Sequence, residues 1–296
     1  MKINKKRALI IGAGIHGSMI AIELSKIGYD ILIIDSNKDV LMGTSGATHN
    51  RIHLGYHYPR SIETVLECKI GYQYFKKNFG ETMIYPDFFY VLEKNNSKIT
   101  PQDYIDFMDK IGLEYDEIWP DERFLERVNI GASFKVKEAA FDILKLRNII
   151  KDRFKKNNIT SKFNFPIIKS ELLNDNSIRL FSTGDKNIVI SPDLIVNATY
   201  TNTNNIQKIF GINDNLTEYE FENTEVAVVE CSYEVPALNV MDGPFISVMP
   251  YGGHKKMYLI YDVINSVVSR YFLIEYLPYK MYKSNFKQMK KHGLDY

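Results

Sequence analysis

Residues Ala8 to Asp35 read ALIIGAGIHGSMIAIELSKIGYDILIID. An apolar strand runs into a glycine turn, then an amphipathic helix, then a second apolar strand that ends in an acid. The glycines Gly12, Gly14 and Gly17 have the spacing G-x-G-x-x-G. Such a turn lets a strand feed straight into a helix and lets the backbone approach a pyrophosphate. The helix start at Ile15, His16 and Gly17 then presents free N–H groups and a partial positive charge. Asp35, followed by Ser36, stands about 20 residues on, where an acid can hold a ribose hydroxyl. This order of elements predicts dinucleotide binding on a Rossmann-like α/β fold. The plainer alternative is a tight turn in an ordinary α/β domain.

Composition bounds the rest. A chain of 296 residues suits one large or two ordinary domains and is long enough for a sizeable core. With net charge +1, nothing in the composition points to nucleic acid. No stretch approaches the ~20 apolar residues of a membrane span. Lys2, Lys5, Lys6 and Arg7 precede an apolar run, but that run holds Glu23 and Lys26 and doubles as the glycine-turn helix, which argues against export. Cys68 and Cys231 lie far apart in no metal or redox spacing. They read as two buried thiols in a reducing cytoplasm.

After Asp35 the α/β rhythm stops, and Ser36 to Pro59 is polar and rich in histidine. A helix is expected over roughly Ser61 to Asn78, with Ile62, Val65, Leu66, Ile70 and Tyr74 at helical spacing. Phe88 to Glu93 reads as a strand. Pro101 to Ile111 reads as a helix capped by Thr100, and Phe141 to Phe154 as another with Asp142 near its start. Phe163 to Ala198 turns to strands: Phe165 to Ile190 has the pattern of a β-meander, followed by the strand DLIVNATY. Two further β-rich blocks cover Tyr219 to Tyr233 and Phe245 to Val263. The expected organisation is a discontinuous nucleotide domain (1–80 plus 131–215), a substrate domain (81–130 plus 216–275) and a tail (276–296) whose lysines form a solvated face or a frayed end.

Four segments resemble the FAD-dependent oxidoreductases of the D-amino-acid-oxidase superfamily, which includes glycine oxidase and L-2-hydroxyglutarate dehydrogenase. They are GAGIHG with Asp35; GTSGATHNRIHLGYHYPRS, Gly43 to Ser61; FKVKEAAFDILKLRNIIKDRF, Phe134 to Phe154; and DLIVNATY. Within the second, Ile52 to Tyr58 is similar to the I-H-x-G-x-x-Y run of the hydroxyglutarate-type members. The resemblance implies a glutathione-reductase-type FAD domain with an inserted α+β substrate domain, and it replaces NAD by FAD. It places Thr44, Ser45, Thr48, His49 and Asn50 along the pyrophosphate and ribityl chain. Backbone near Ile167 or Ile168 would meet adenine, and Ala198 and Thr199 would back the pyrophosphate. Two departures stand out. Tyr200 occupies a position where the family usually has Gly. From Phe272 onward no final glycine-rich turn follows, so the chain resembles a C-terminally shortened member.

Flavin oxidation takes a hydride from a CH–OH or CH–NH carbon of a small polar substrate. An alcohol also needs a base for its proton, a role that suits His near neutral pH. His53, which matches the family's histidine, is the first candidate, with Tyr58 and Arg51 beside it in sequence. His49, His53 and His57 recur every four residues, but no carboxylate or cysteine lies near in sequence to complete a metal set, and none is expected. Arg51 or Arg60 can hold a carboxylate or phosphate bidentately. Tyr56, Tyr251, His254 and Tyr261 are candidate pocket residues. The histidines tilt the expected substrate slightly toward a hydroxy acid. Competing readings are a non-catalytic FAD-binding remnant, one part of a split enzyme with a partner chain, and an NAD-dependent dehydrogenase.

Overall fold

Ile and Leu dominate the two short strands that flank the glycine turn, and beyond their exposed first residues both strands are mostly buried. In the computed structural model these are β1 (Arg7–Ile11) and β2 (Asp30–Ile34), joined by helix α1 (Ile15–Lys26). The structure describes residues 5–214, 216–243, 246–277 and 285–293. β1 and β2 pair in parallel, as the crossover helix requires. Leu194–Asn197 joins β1 on one side and Thr160–Lys162 joins β2 on the other, giving a four-stranded parallel sheet. α1 buries Gly17, Ser18, Ala21 and Ile22. Leu9, Ile11 and Ile34 pack with Phe165, Ile167 and Leu180 of the expected meander, whose strands are Ile167–Leu172, Ile178–Ser182 and Asn187–Ile190.

Two compact units emerge. The first takes in Met1–Ala47, Arg147–Phe221 and Arg270–Lys280; the second takes in Thr48–Leu146, Glu222–Ser269 and Met281–Tyr296. These borders differ from those expected from the sequence. Residues 48–80 and 131–146 group with the second unit because hydrogen bonds hold them there. Arg51–Ile52 and Met83–Ile84 both pair with Ala139–Phe141, and Ile130–Val136 pairs with Phe88–Glu93.

The second unit is built on a seven-stranded mixed sheet. Its centre runs Met257–Asp262, Ile246–Pro250, Ala237–Met241, Phe88–Glu93 and Ile130–Val136. Phe88, Tyr90, Leu92, Phe134 and Met249 share a core with Tyr104, Phe107 and Met108 of helix α3 (Pro101–Ile111). Thr100 caps α3 through a reciprocal capping box with Asp103, and Gly112 ends it in the left-handed region. Helix α4 (Ile143–Lys156) begins where the Asp142 carboxylate accepts the Leu144 and Lys145 N–H groups.

One expectation, the burial of the cysteines, needs correction, and two helices add detail to theirs. Helix α2 (Ile62–Phe79) forms, but of its five periodic apolar residues only Val65 is buried; Ile62, Leu66, Ile70 and Tyr74 face outward. The inward face is instead Val65, Tyr72 and Phe79, a second apolar stripe on the same helix. Cys68 and Cys231 are half-buried, not buried. The tail holds a helix, Phe286–Gly293, whose Met289 is buried beside Ser266. Phe245, where the third β-rich block was expected to begin, lies outside the described residues, as does Lys280 of the tail.

Candidate active site

The turn after β1 is shaped for an anion. Gly12 has φ +101°, and a Cβ there would stand 2.5 Å from the Ala198 carbonyl oxygen. A Cβ on Gly17 would lie 1.9 Å from the Gly12 carbonyl oxygen. Gly14 caps α1 without any side-chain hydrogen bond, and the first turn of α1 has no acidic residue to offset the positive helix end. His16 projects outward, and its N–H is among the first-turn groups without an intrahelical acceptor. The Ile15 N–H donates to Ser45 Oγ at 3.0 Å, which leaves the Ser45 hydroxyl hydrogen as a donor.

Asp35 has a second duty that its position in the sequence does not reveal. Its Oδ2 accepts the Ala13 N–H at 2.7 Å and its Oδ1 accepts Asn37 N–H at 2.7 Å, tying the end of β2 to the glycine turn. Ionised carboxylate oxygens accept more than one hydrogen bond, so a ribose hydroxyl can still be held. Ser36 and Thr44 are exposed near this edge. Ala198 N–H donates to the Ile11 carbonyl, and Thr199 Oγ1 donates to Asn197 at 2.6 Å, fixing the return strand against the turn. Tyr200 has φ +54° and is 73% exposed. The backbone thus keeps the left-handed form for which glycine is suited, at a cost borne by a tyrosine. Ile167 is buried, and a register shift between Ile167 and Lys169 takes Ile168 out of the β-ladder.

The second unit gathers the remaining candidates. Tyr90, Asn239, Ser247 and Tyr261 are register partners on four adjacent strands, so they form one polar row across the sheet. Above the row sits the loop from Thr48 to Tyr58. Arg51 donates to Asn239 Oδ1 at 3.1 Å and to the Tyr90 hydroxyl at 3.3 Å. Asn239 also meets His57 Nδ1 at 3.4 Å, and Ser247 meets His49 Nδ1 at 3.2 Å. His49 packs edge-on against Tyr261. Tyr58 lies 5.2 Å, ring to ring, from both His53 and His57. Arg51, His57, Asn239, Ser247 and Tyr261, with apolar Val240, Met241, Ile246 and Val263, line a pocket of about 120 Å³ together with Gly243 and Asp242, whose carboxylate is paired with Arg60.

Glu138 underlies this cluster. It is fully buried and accepts the Leu54 N–H at 2.8 Å and the Tyr90 hydroxyl. His53 Nδ1 stands 3.7 Å from it, beyond hydrogen-bond range. Burial pushes the Glu138 carboxyl up, and the Arg51 charge opposes that shift. Burial, and next the Arg51 charge, lower His49 to about 3, His53 to about 2 and His57 to about 3. All three imidazoles are therefore neutral at pH 7. Four buried polar atoms in the loop have no hydrogen-bond partner: His49 Nε2, Asn50 Nδ2, Arg51 Nε and His53 Nδ1. Among the described residues, no carboxylate lies within ion-pair distance of Arg51.

Other candidates have structural duties. Thr48 Oγ1 accepts the Asn50 N–H, and Asn50 O accepts the Phe141 N–H, which shapes the loop. Arg60 forms an exposed ion pair with Asp242. Tyr56 is buried and donates to the Glu114 carbonyl. Tyr251 and His254 stack on each other. Sequence reasoning missed Tyr90, Glu138, Asn239 and Ser247. Their signal was present: each is a polar residue inside or beside an apolar strand run, which is the informative kind of buried residue.

The glycine cradle and parallel sheet define a dinucleotide-binding fold of the Rossmann type. A family model described as FAD dependent oxidoreductase matches residues 7–253, and the chain belongs to that family. It is 23% identical over 252 residues to the FAD-dependent monooxygenase FPY4 of Fusarium mangiferae, covering 84% of this chain and 62% of that one. It is 33% identical over 79 residues to the FAD-dependent monooxygenase kojA of Aspergillus flavus, covering 27% and 18%. The chain thus spans less than two thirds of either curated relative. Among solved structures, L-proline dehydrogenase from P. horikoshii is similar with TM-score 0.70 at 15% identity, covering 98% of this chain and 76% of that one. Glycine oxidase from Bacillus cereus is similar with TM-score 0.64 at 14% identity, covering 86% and 70%. FAD, the family's cofactor, fits the residues present: two glycines whose Cβ would clash, a helix start whose cap residue Gly14 has no side chain, and an acid at the end of β2. Among the described residues, no helix is long and apolar enough to cross a membrane.

Proposed function

We propose that the chain binds FAD on the Gly12–Gly17 turn and oxidises the CH–NH carbon of a small substrate bearing a carboxylate. The observation that carries this reading is Arg51. The guanidinium is half-buried with a buried Nε, no carboxylate among the described residues lies at ion-pair distance, and a bound anion relieves the cost of holding the charge there. Its Nε, left without an acceptor, and the adjoining pocket suit a carboxylate. FAD, when bound, supplies the hydride acceptor. Asn239 and Tyr90 hold the Arg51 fork in place, and neutral His53, His57 and Tyr58 offer uncharged hydrogen-bonding groups beside it.

The neutral histidines favour an amine over an alcohol. Alcohol oxidation needs a base for the hydroxyl proton, and imidazoles held at about 2 to 3 are poor acceptors near neutral pH. A free amine needs no such base. The fold neighbours, an L-proline dehydrogenase and a glycine oxidase, lean the same way. The two free cysteines agree with a cytoplasmic protein.

The test is an anaerobic screen of amino, imino and hydroxy acids that follows bleaching of the flavin absorbance. Bleaching by amino or imino acids, and its loss in Arg51→Met with FAD retained, is the expected result. Bleaching by hydroxy acids alone, or an unaffected Arg51→Met variant, contradicts the reading.

A further inference from the structure

α2 carries an apolar stripe that its own unit does not cover. Leu66 is 53% exposed, Ile70 73% and Tyr74 52%, with Ile62 at the stripe's start. Positions 62, 66, 70 and 74 form one i±4 ridge, the kind that packs into the groove beside the equivalent ridge of a second helix. Gly71 lies in that neighbouring groove, beside Ile70 and midway along the helix. A Cβ there would meet nothing within 4 Å. A mid-helix glycine costs about 1 kcal/mol relative to alanine, and nothing among the described residues uses the space it leaves. It leaves a notch for a side chain from outside.

The charges identify that outside partner. Glu63 and Glu67 lie in the N-terminal half of α2, and Lys76 and Lys77 in its last turn. Glu63, Ile70 and Lys77 follow one another at seven-residue spacing, which keeps them on one line of the helix surface, with the isoleucine at the centre. Among the described residues, neither Glu63 nor Lys77 makes an ion pair. A face with an acid at one end, a base at the other and an apolar centre is complementary to itself when turned through a two-fold axis.

We propose that α2 is the interface between two copies of this chain. The helices cross antiparallel near Ile70 and Gly71, and each ridge enters the notch of the other. Leu66, Ile70 and Tyr74 form the apolar centre. Glu63 of each copy faces Lys77 of the other, so the two-fold generates two such pairs. This surface is independent of the oxidation reading, since α2 contributes none of the pocket residues.

Sedimentation equilibrium of the FAD-loaded full chain at micromolar concentration tests the interface, with circular dichroism and flavin content as checks of folding. The wild type is expected to be a dimer, and Ile70→Asp a folded monomer. Glu63→Lys or Lys77→Glu alone sets like charges against each other and should weaken association at least tenfold. The double swap Glu63→Lys with Lys77→Glu should recover most of that loss. It puts the wrong charges at the helix ends, so any recovery must come from across the interface. A monomeric wild type, a dimer indifferent to Ile70→Asp, or a double swap no better than the single variants overturns the proposal.

Discussion

Arg51 holds a charge that no carboxylate in its surroundings offsets at ion-pair distance, and its two nitrogen contacts are to neutral oxygens. Arg51→Lys keeps the charge but loses the planar fork. Losing a charge-assisted hydrogen bond costs about 1.5–3 kcal/mol, so kcat/KM should fall by roughly 10- to 100-fold while FAD stays bound. Steady-state kinetics with the best substrate of the anaerobic screen measure this. The histidines set the acid response. Each has an unfolded value of 6.5 and a folded value of about 2 to 3. Between these limits the unfolded chain binds more protons, so their stabilising contribution is complete above pH 6.5 and is lost as pH falls toward 3. Glu138, raised by burial, acts in the opposite sense: its contribution is complete below about 4.5 and fades as pH rises. Three groups against one should make the melting temperature fall between pH 6.5 and 5, with a shallower fall in His49→Gln. Tyr200 adds a third residue-scale test. Replacing it by Gly removes a left-handed strain of about 1–2 kcal/mol, partly offset by the entropy of glycine in the unfolded chain. A slightly higher melting temperature and FAD affinity no weaker than that of the wild type are the expected outcomes of a titration.

Elements differ in how legible they were. Local chemistry marked β1, α1, β2, the strand Phe88–Glu93 and α3, because glycine spacing, apolar runs and the Thr100–Pro101 cap act within a few residues. Both apolar stripes of α2 satisfied helical spacing, and only the packing decides between them. The members of the polar row Tyr90, Asn239, Ser247 and Tyr261 are each marked singly in the sequence, but the row is not, since they come from four strands and meet only through sheet register. The loop that brings His53, His57 and Arg51 near that row was visible as a motif, but Glu138, which holds it, was quoted only as part of a helix entry. Tyr90→Phe tests the row's buried end. It leaves the Glu138 carboxyl short of a donor and should cost about 1–3 kcal/mol in urea unfolding. At the cradle, Gly17→Ala places a methyl group where the Gly12 carbonyl stands. It should abolish FAD retention, measured as flavin released from the purified protein.

At the scale of the whole molecule, hydrogen bonding draws the border between the units. Residues 48–80 precede the substrate sheet in sequence and follow the glycine turn directly, so sequence proximity assigned them to the nucleotide domain. Pairing of Arg51–Ile52 with Ala139–Phe141 moves them to the other unit. The cofactor candidates divide accordingly: Gly12 to Gly17, Asp35, Thr44, Ser45, Ile167, Ala198 and Thr199 in the first unit, and Thr48, His49 and Asn50 with the catalytic candidates in the second. The central claim is that the chain holds a flavin on the Gly12–Gly17 turn and oxidises a carboxylate-bearing amine. The most direct measurement is the visible spectrum of the natively purified chain, repeated after addition of FAD and then, without oxygen, of the amino and imino acids. The account predicts stoichiometric flavin that bleaches with one of these substrates. A chain that holds no flavin and takes up none when FAD is added contradicts it.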